Sequence, residues 1–182
     1  MSWRLALVER FFPLFLRKGK LRELHILTAR AFGKDKPAIR SGSFEDELRG
    51  YALFTRQAAS EVLGAAAREA EVSERLFENA REWGGRLRSQ LGVRSEAEAR
   101  RALRVMYRAI RIDLTAGPDG RVVVRKCYFS DHYGPEVCRL ISALDRGLVA
   151  GVADGAKLEF DQRITEGRET CLGRILFRRK QS

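Results

Sequence analysis

The fold turns on Ile110–Phe129, IRIDLTAGPDGRVVVRKCYF. Up to this point apolar residues recur at helical spacing; here they alternate, β-branched residues accumulate, and Gly117, Pro118, Asp119 and Gly120 supply a turn. The stretch predicts a β-hairpin, and it divides the chain into a helical part and a mixed part.

Working back from it, SEAEARRALRVMYRAI (Ser95–Ile110) opens on Ser95 with Glu98 three residues on, the pattern of a capping box, and Ala99, Ala102, Leu103, Met106 and Ile110 share a stripe. VSERLFENAREWGGRLRSQLG (Val72–Gly92) predicts a further helix with a break or kink at Gly84 and Gly85 and a stop at Gly92. Ser43 with Asp46 is a weaker box that starts a segment whose stripe is Leu48, Tyr51, Ala52, Ala59, Val62 and Leu63. A helix pair precedes Gly33, and KDKPAIRSGS (Lys34–Ser43) reads as a loop.

Working forward, PEVCRLISALDRGLVAGV (Pro135–Val152) predicts a helix with Pro135 in its first turn and Val137, Ile141, Leu144 and Leu148 on one face. KLEFDQRITEGRETCLGRILF (Lys157–Phe177) predicts a second hairpin that turns near Glu166 and Gly167. The expected class is α+β: a helical N-terminal half, then hairpin, helix and hairpin, with an antiparallel sheet of about four strands covered on one face by helices. Residues 1–42 form a helical arm in this reading, and 43–182 one α+β domain.

Composition narrows the function classes. Three cysteines among 182 residues argue against a disulfide scaffold and point to a reducing cytoplasm. The net charge of +11 suggests a nucleic-acid footprint, but of 35 basic residues 28 are arginine and 7 lysine, spread along the chain between acidic ones. Without a reading surface or zinc-finger spacing, nucleic acid is disfavoured as a partner. In MSWRLALVERFFPLFLRKGK, Glu9, Arg10 and Pro13 interrupt the apolar run, so no membrane span is expected. A peripheral contact with an anionic membrane through Phe11, Phe12, Leu14 and Phe15 is left open, beside packing on the domain or on a second copy.

One stretch gathers chemistry: KCYFSDHYGPEVC (Lys126–Cys138) holds two of the three cysteines and one of the two histidines. Three readings stand side by side. The thiols are core groups, since free cysteine behaves as a small hydrophobe, and strand alternation puts Cys127 on one side with Val123 and Phe129, interrupted by Arg125, and Cys171 on one side with Gly173, Ile175 and Phe177. Or Cys127, His132, Cys138 and Cys171 hold zinc or iron, for which their residue types are suited. Or a carboxylate such as Asp131 orients His132, which activates a water or the Cys138 thiol near a helix N-terminus. His25 reads as a packed or surface histidine. Asp145, beside the apolar stripe of its helix, becomes a candidate if it is buried, held by an arginine such as Arg121 or Arg163. Glu166 and Glu169 are acid/base candidates if a pocket opens at their turn. There is no G-x-S-x-G elbow, P-loop, dinucleotide glycine fingerprint or H-E-x-x-H.

The C-terminal third resembles the L-2-amino-thiazoline-4-carboxylic acid hydrolase family. The resemblance rests on Cys127 after an extended segment, Cys138 and Asp145 in a helix, the extended LEFDQRIT, and EGRETCLGRILF with Gly167, Cys171 and Phe177; it covers residues 100 to 178. Where the family pattern has a cysteine shortly before the helical aspartate, this chain has Ser142, with Cys138 one turn earlier. The resemblance implies a small-molecule pocket between sheet and C-terminal helix, lined by Cys127, His132, Cys138, Asp145 and Cys171. If the domain is an enzyme, the chemistry most consistent with those groups is hydrolysis of a carbon–nitrogen bond in a small heterocycle or amide, with His132 as general base, Cys138 as nucleophile and arginine on a substrate carboxylate. The competing expectation is a non-catalytic sensor or carrier domain that holds a small ligand or metal and pairs through its helical half as a homodimer.

Overall fold

The computed structural model describes residues 2–35 and 42–178. Among these residues six α-helices run in order, α1 Trp3–Arg10, α2 Leu14–Ala31, α3 Phe44–Ser60, α4 Ala66–Leu91, α5 Glu96–Ala109 and, after the first hairpin, α6 Pro135–Val152. The strands are β1 Ile112–Ala116, β2 Arg121–Cys127, β3 Lys157–Gln162 and β4 Cys171–Leu176. The protein is α+β as expected, with four antiparallel strands in the order β1-β2-β4-β3. Of the expected loop Lys34–Ser43, residues 36–41 lie outside the described residues.

Local chemistry accounts for the element ends. Ser43 and Asp46 form a complete capping box: Ser43 Oγ accepts the Asp46 N–H, and the Asp46 carboxylate accepts the Ser43 N–H at 2.9 Å. The second box is only half made. Ser95 Oγ accepts the Glu98 N–H, but the Glu98 carboxylate turns away to the N–H groups of Arg94 (2.8 Å) and Ser2 (2.7 Å), tying the start of the chain to α5. Gly134 caps α6 and Pro135 fills its first position, where a missing N–H costs nothing.

Gly84 and Gly85 do not break α4, which is continuous to Leu91. Their role is tertiary. A Cβ on Gly84 would lie 2.7 Å from the Leu148 carbonyl oxygen of α6, and one on Gly147 of α6 would lie 2.9 Å from the Ala80 Cβ of α4. A Cβ on Gly151 would lie 2.7 Å from the Gly85 nitrogen and 2.8 Å from the Gly84 Cα. The two helices therefore meet backbone to backbone along a seam that only glycine permits.

One sheet face packs inward through Leu114, Val122, Val124, Leu158 and Ile175, while Arg121, Arg125, Glu159 and Arg174 face out. The pairing of β1 with β2 shifts between Asp113 and Leu114: Val124 sits opposite Leu114 but Lys126 opposite Asp113, so Arg125 is an extra residue. This bulge corrects the expected strand phase. Cys127 shares its side with Val122 and Val124 rather than with Val123, because the inserted Arg125 resets the alternation. The core is continuous from Leu5 in α1 and Leu21 in α2 through Leu48, Leu76 and Leu103 to the sheet.

Candidate functional site

A cavity of about 110 Å³ lies where α6, α5, α4 and α3 meet the start of β1 and the end of β2. Its wall is mostly apolar, with Trp83, Met106, Ile112, Phe129, Ile141, Leu144 and Leu148; Arg17 and Lys20 of α2 also line it. Into this lining project Tyr51, Tyr107, Tyr133, Cys127, Cys138, Ser142 and Asp145. That space suits a ligand of a few ring atoms.

Asp145 is the chemical centre. Its position, one step off the apolar face of α6, turns the carboxylate to the cavity wall, where Tyr107 Oη donates to Oδ1 at 2.8 Å. The other oxygen has no hydrogen bond among the described residues. The side chain keeps some accessible surface, as a cavity-lining group does, yet protein surrounds it closely enough that desolvation pushes its carboxyl up from 3.8 to about 6; Tyr107 and the guanidinium groups of Arg163 and Arg146 oppose the rise. Burial and the same carboxylate push Tyr107 well above its ordinary value. Tyr51 is anchored through the Thr28 hydroxyl at 3.1 Å. Tyr133, 8% exposed, lines the cavity with a buried hydroxyl that no group of normal geometry satisfies among the described residues, although Thr55 lies close enough to moderate its raised pKa.

The thiols do not behave as an activated set. Burial drives Cys127 up to about 12, and it raises Cys138 and Cys171 as well. For Cys138 this reverses the direction expected from a helix N-terminus: it sits in the first turn of α6, but desolvation raises it, against smaller opposing effects of Thr165 and Arg163. Cys171 accepts the Ile164 N–H at 3.3 Å and is absent from the cavity wall.

His132 likewise is not on that wall; its ring packs on Tyr128 at 5.0 Å between centroids, and neighbouring Asp131 is exposed. Thus Cys127, Cys138 and Asp145 come together, and His132 and Cys171 stand apart from them. Among the described residues no group of three or more His, Cys, Asp or Glu is placed to hold a metal ion, so Cys127, His132, Cys138 and Cys171 are not assembled as a ligand set.

The remaining candidates have structural partners. His25 is buried against Tyr51 and Phe54. Glu166 accepts from Arg139 at 3.0 Å, and Glu169 is exposed. Of the two arginines suggested for Asp145, Arg163 acts on it through space while reaching Ser142 Oγ at 3.3 Å; Arg121 is exposed on the sheet. Ser142 itself donates back to the Cys138 carbonyl at 2.7 Å.

Tyr107 and Tyr133 are the functional candidates that sequence reasoning missed. For Tyr107 the available signal was a tyrosine on the buried side of a strongly amphipathic helix, whose hydroxyl needs a partner once buried; Tyr133 lies in the connection before α6 and carries no such signal. No family model, no curated protein and no solved structure matches the chain.

Proposed function

We propose that the protein is a small-molecule-binding domain whose internal cavity takes a compact, ring-sized ligand bearing an N–H group or a protonated nitrogen. The observation that carries this reading is a desolvated carboxylate on the wall of a mostly apolar cavity, with one oxygen held by Tyr107 and no hydrogen bond to the other among the described residues. A pocket of apolar walls with a few convergent polar groups is the usual form of a ligand site. Tyr133 lines the same cavity.

The test is a titration of small N-heterocycles and cyclic amidines, 2-aminothiazoline carboxylate among them, followed by NMR or calorimetry. Asp145→Asn keeps the shape and the Tyr107 acceptor but loses the charge; it is expected to weaken a cationic or N–H ligand about tenfold to hundredfold, the worth of a hydrogen bond to a charged group. Absence of saturable binding across the set, or equal affinity in Asp145→Asn, refutes the reading.

The resemblance to the aminothiazoline carboxylate hydrolases favours a catalytic extension of the same site, supported by a carboxyl raised to about 6, a value suited to proton transfer near neutrality. In that extension Asp145 takes a proton from the water that attacks the ring carbon and returns it to the ring nitrogen as the carbon–nitrogen bond breaks, the base role first assigned to His132. Turnover of the bound heterocycle, abolished in Asp145→Asn and retained in His132→Ala and Cys138→Ala, distinguishes catalysis from binding alone.

A further inference from the structure

Large apolar side chains at the surface concentrate at the start of the chain: Trp3 is 70% exposed, Leu7 57%, Phe11 65%, Leu14 54% and Phe15 72%. Trp3 and Leu7, four residues apart, share the outer face of α1, and Phe11 follows exposed at its C-cap, while Leu5, Val8 and Phe12 turn inward to the core. Leu14 and Phe15 are exposed again just past Pro13, at the start of α2. A helix apolar on both its buried and its outer face is waiting for a second apolar medium.

The charges around the stripe are predominantly positive. Arg4 and Arg10 flank it on α1, Arg4 lying over the Trp3 ring, and neither forms an ion pair among the described residues. Arg104 and Arg108 of α5 stand exposed next to α1, where Arg108 donates to the Glu9 carbonyl. Glu9, the sole acidic residue among the first 20, has its carboxylate engaged by Arg101 and Arg104. We propose that this face docks on an anionic lipid membrane, with Trp3, Leu7, Phe11 and Phe15 entering the headgroup boundary and the rim arginines binding lipid phosphates. Charge complementarity selects this occupant over a second copy, since two copies meeting here would bring the same arginine rims together on chains that each carry +11.

The test uses the full chain and vesicles of phosphatidylcholine with or without phosphatidylglycerol. Trp83 is buried and Trp3 exposed, so a blue shift of the indole emission on mixing reports Trp3 leaving water. The expected result is a blue shift and co-sedimentation with phosphatidylglycerol vesicles, weakened by salt. Phe11→Ser with Phe15→Ser should lower partitioning about tenfold or more, from the loss of buried aromatic surface. Both positions are exposed, so the double variant should keep the wild-type melting temperature, and Asp145→Asn should bind vesicles as the wild type does. No shift on anionic vesicles overturns the proposal, as does partitioning unchanged in the double variant. A concentration-dependent dimer in sedimentation that hides Trp3 and excludes vesicles assigns the stripe to a second copy and also overturns it.

Discussion

Gly151→Ala tests the α4–α6 seam on which the fold is built. Alanine is the better helix former by about 1 kcal/mol, and at an open helical position that gain is realised. Gly50 of α3 is such a position, where an added methyl would meet nothing within 4 Å. At Gly151 the added methyl would meet the Arg81 carbonyl oxygen, the Gly85 nitrogen at 2.7 Å and the Gly84 Cα at 2.8 Å, all backbone atoms of a helix that cannot rotate aside. The helices must separate, and overpacking of this kind costs about 3 kcal/mol. Setting the helix gain against it leaves a net loss of about 2 kcal/mol, or a melting temperature lower by about 4–8 °C for a chain of this size. Gly50→Ala should instead raise stability by about 0.5–1 kcal/mol. Urea unfolding of both variants reads the two signs directly; Gly151→Ala as stable as Gly50→Ala would refute the backbone contact.

The buried carboxylate makes stability depend on pH. Folded Asp145 keeps its proton to about 6, whereas the unfolded chain releases it near 3.8, so the folded state binds more protons in that window. Its contribution is present below the lower value and lost as pH rises through the upper one, a swing of about 3 kcal/mol. Wild type minus Asp145→Asn, measured by urea unfolding between about pH 3 and pH 8, isolates this swing from the other carboxylates; a flat difference rules out the buried, raised carboxyl. The thiols give an independent check: with all three raised by burial, a disulfide reagent at neutral pH should label the native chain far more slowly than the urea-unfolded one. Rapid native labelling of Cys138 would restore it as a nucleophile.

The element order was legible because hydrophobic periodicity is local: the switch at Ile110 and the turn at Gly117–Gly120 need no knowledge of neighbours. What was misread depends on pairing. The bulge at Arg125 exists only opposite β1, so alternation along β2 alone placed Cys127 on the wrong phase. Gly84 and Gly85 have two readings within one helix, and only the matching Gly147 and Gly151, four residues apart on α6, decide between a kink and a close contact. At the site, Asp145 was identifiable as a carboxylate beside an apolar stripe, but Tyr107, 38 residues earlier, becomes its partner only through packing of α5 on α6. Chain proximity pulled His132 and Cys138 into one candidate, and the turn after β2 separated them.

The seam and the cavity share walls. Gly147 and Gly151 face α4, while Leu144, Asp145 and Leu148 of the same helix line the cavity, and α4 contributes Ala80 and Trp83 to it. A displacement of α6 against α4 therefore changes the distance from Asp145 to the opposite wall, not only the packing energy. Gly151→Ala should weaken ligand binding together with stability, whereas Gly50→Ala, on an exposed turn of α3, should change stability and leave affinity alone. If both variants bind as the wild type does, the cavity tolerates movement of α6, and rigid placement of the carboxylate by the glycine seam is not what makes the site selective.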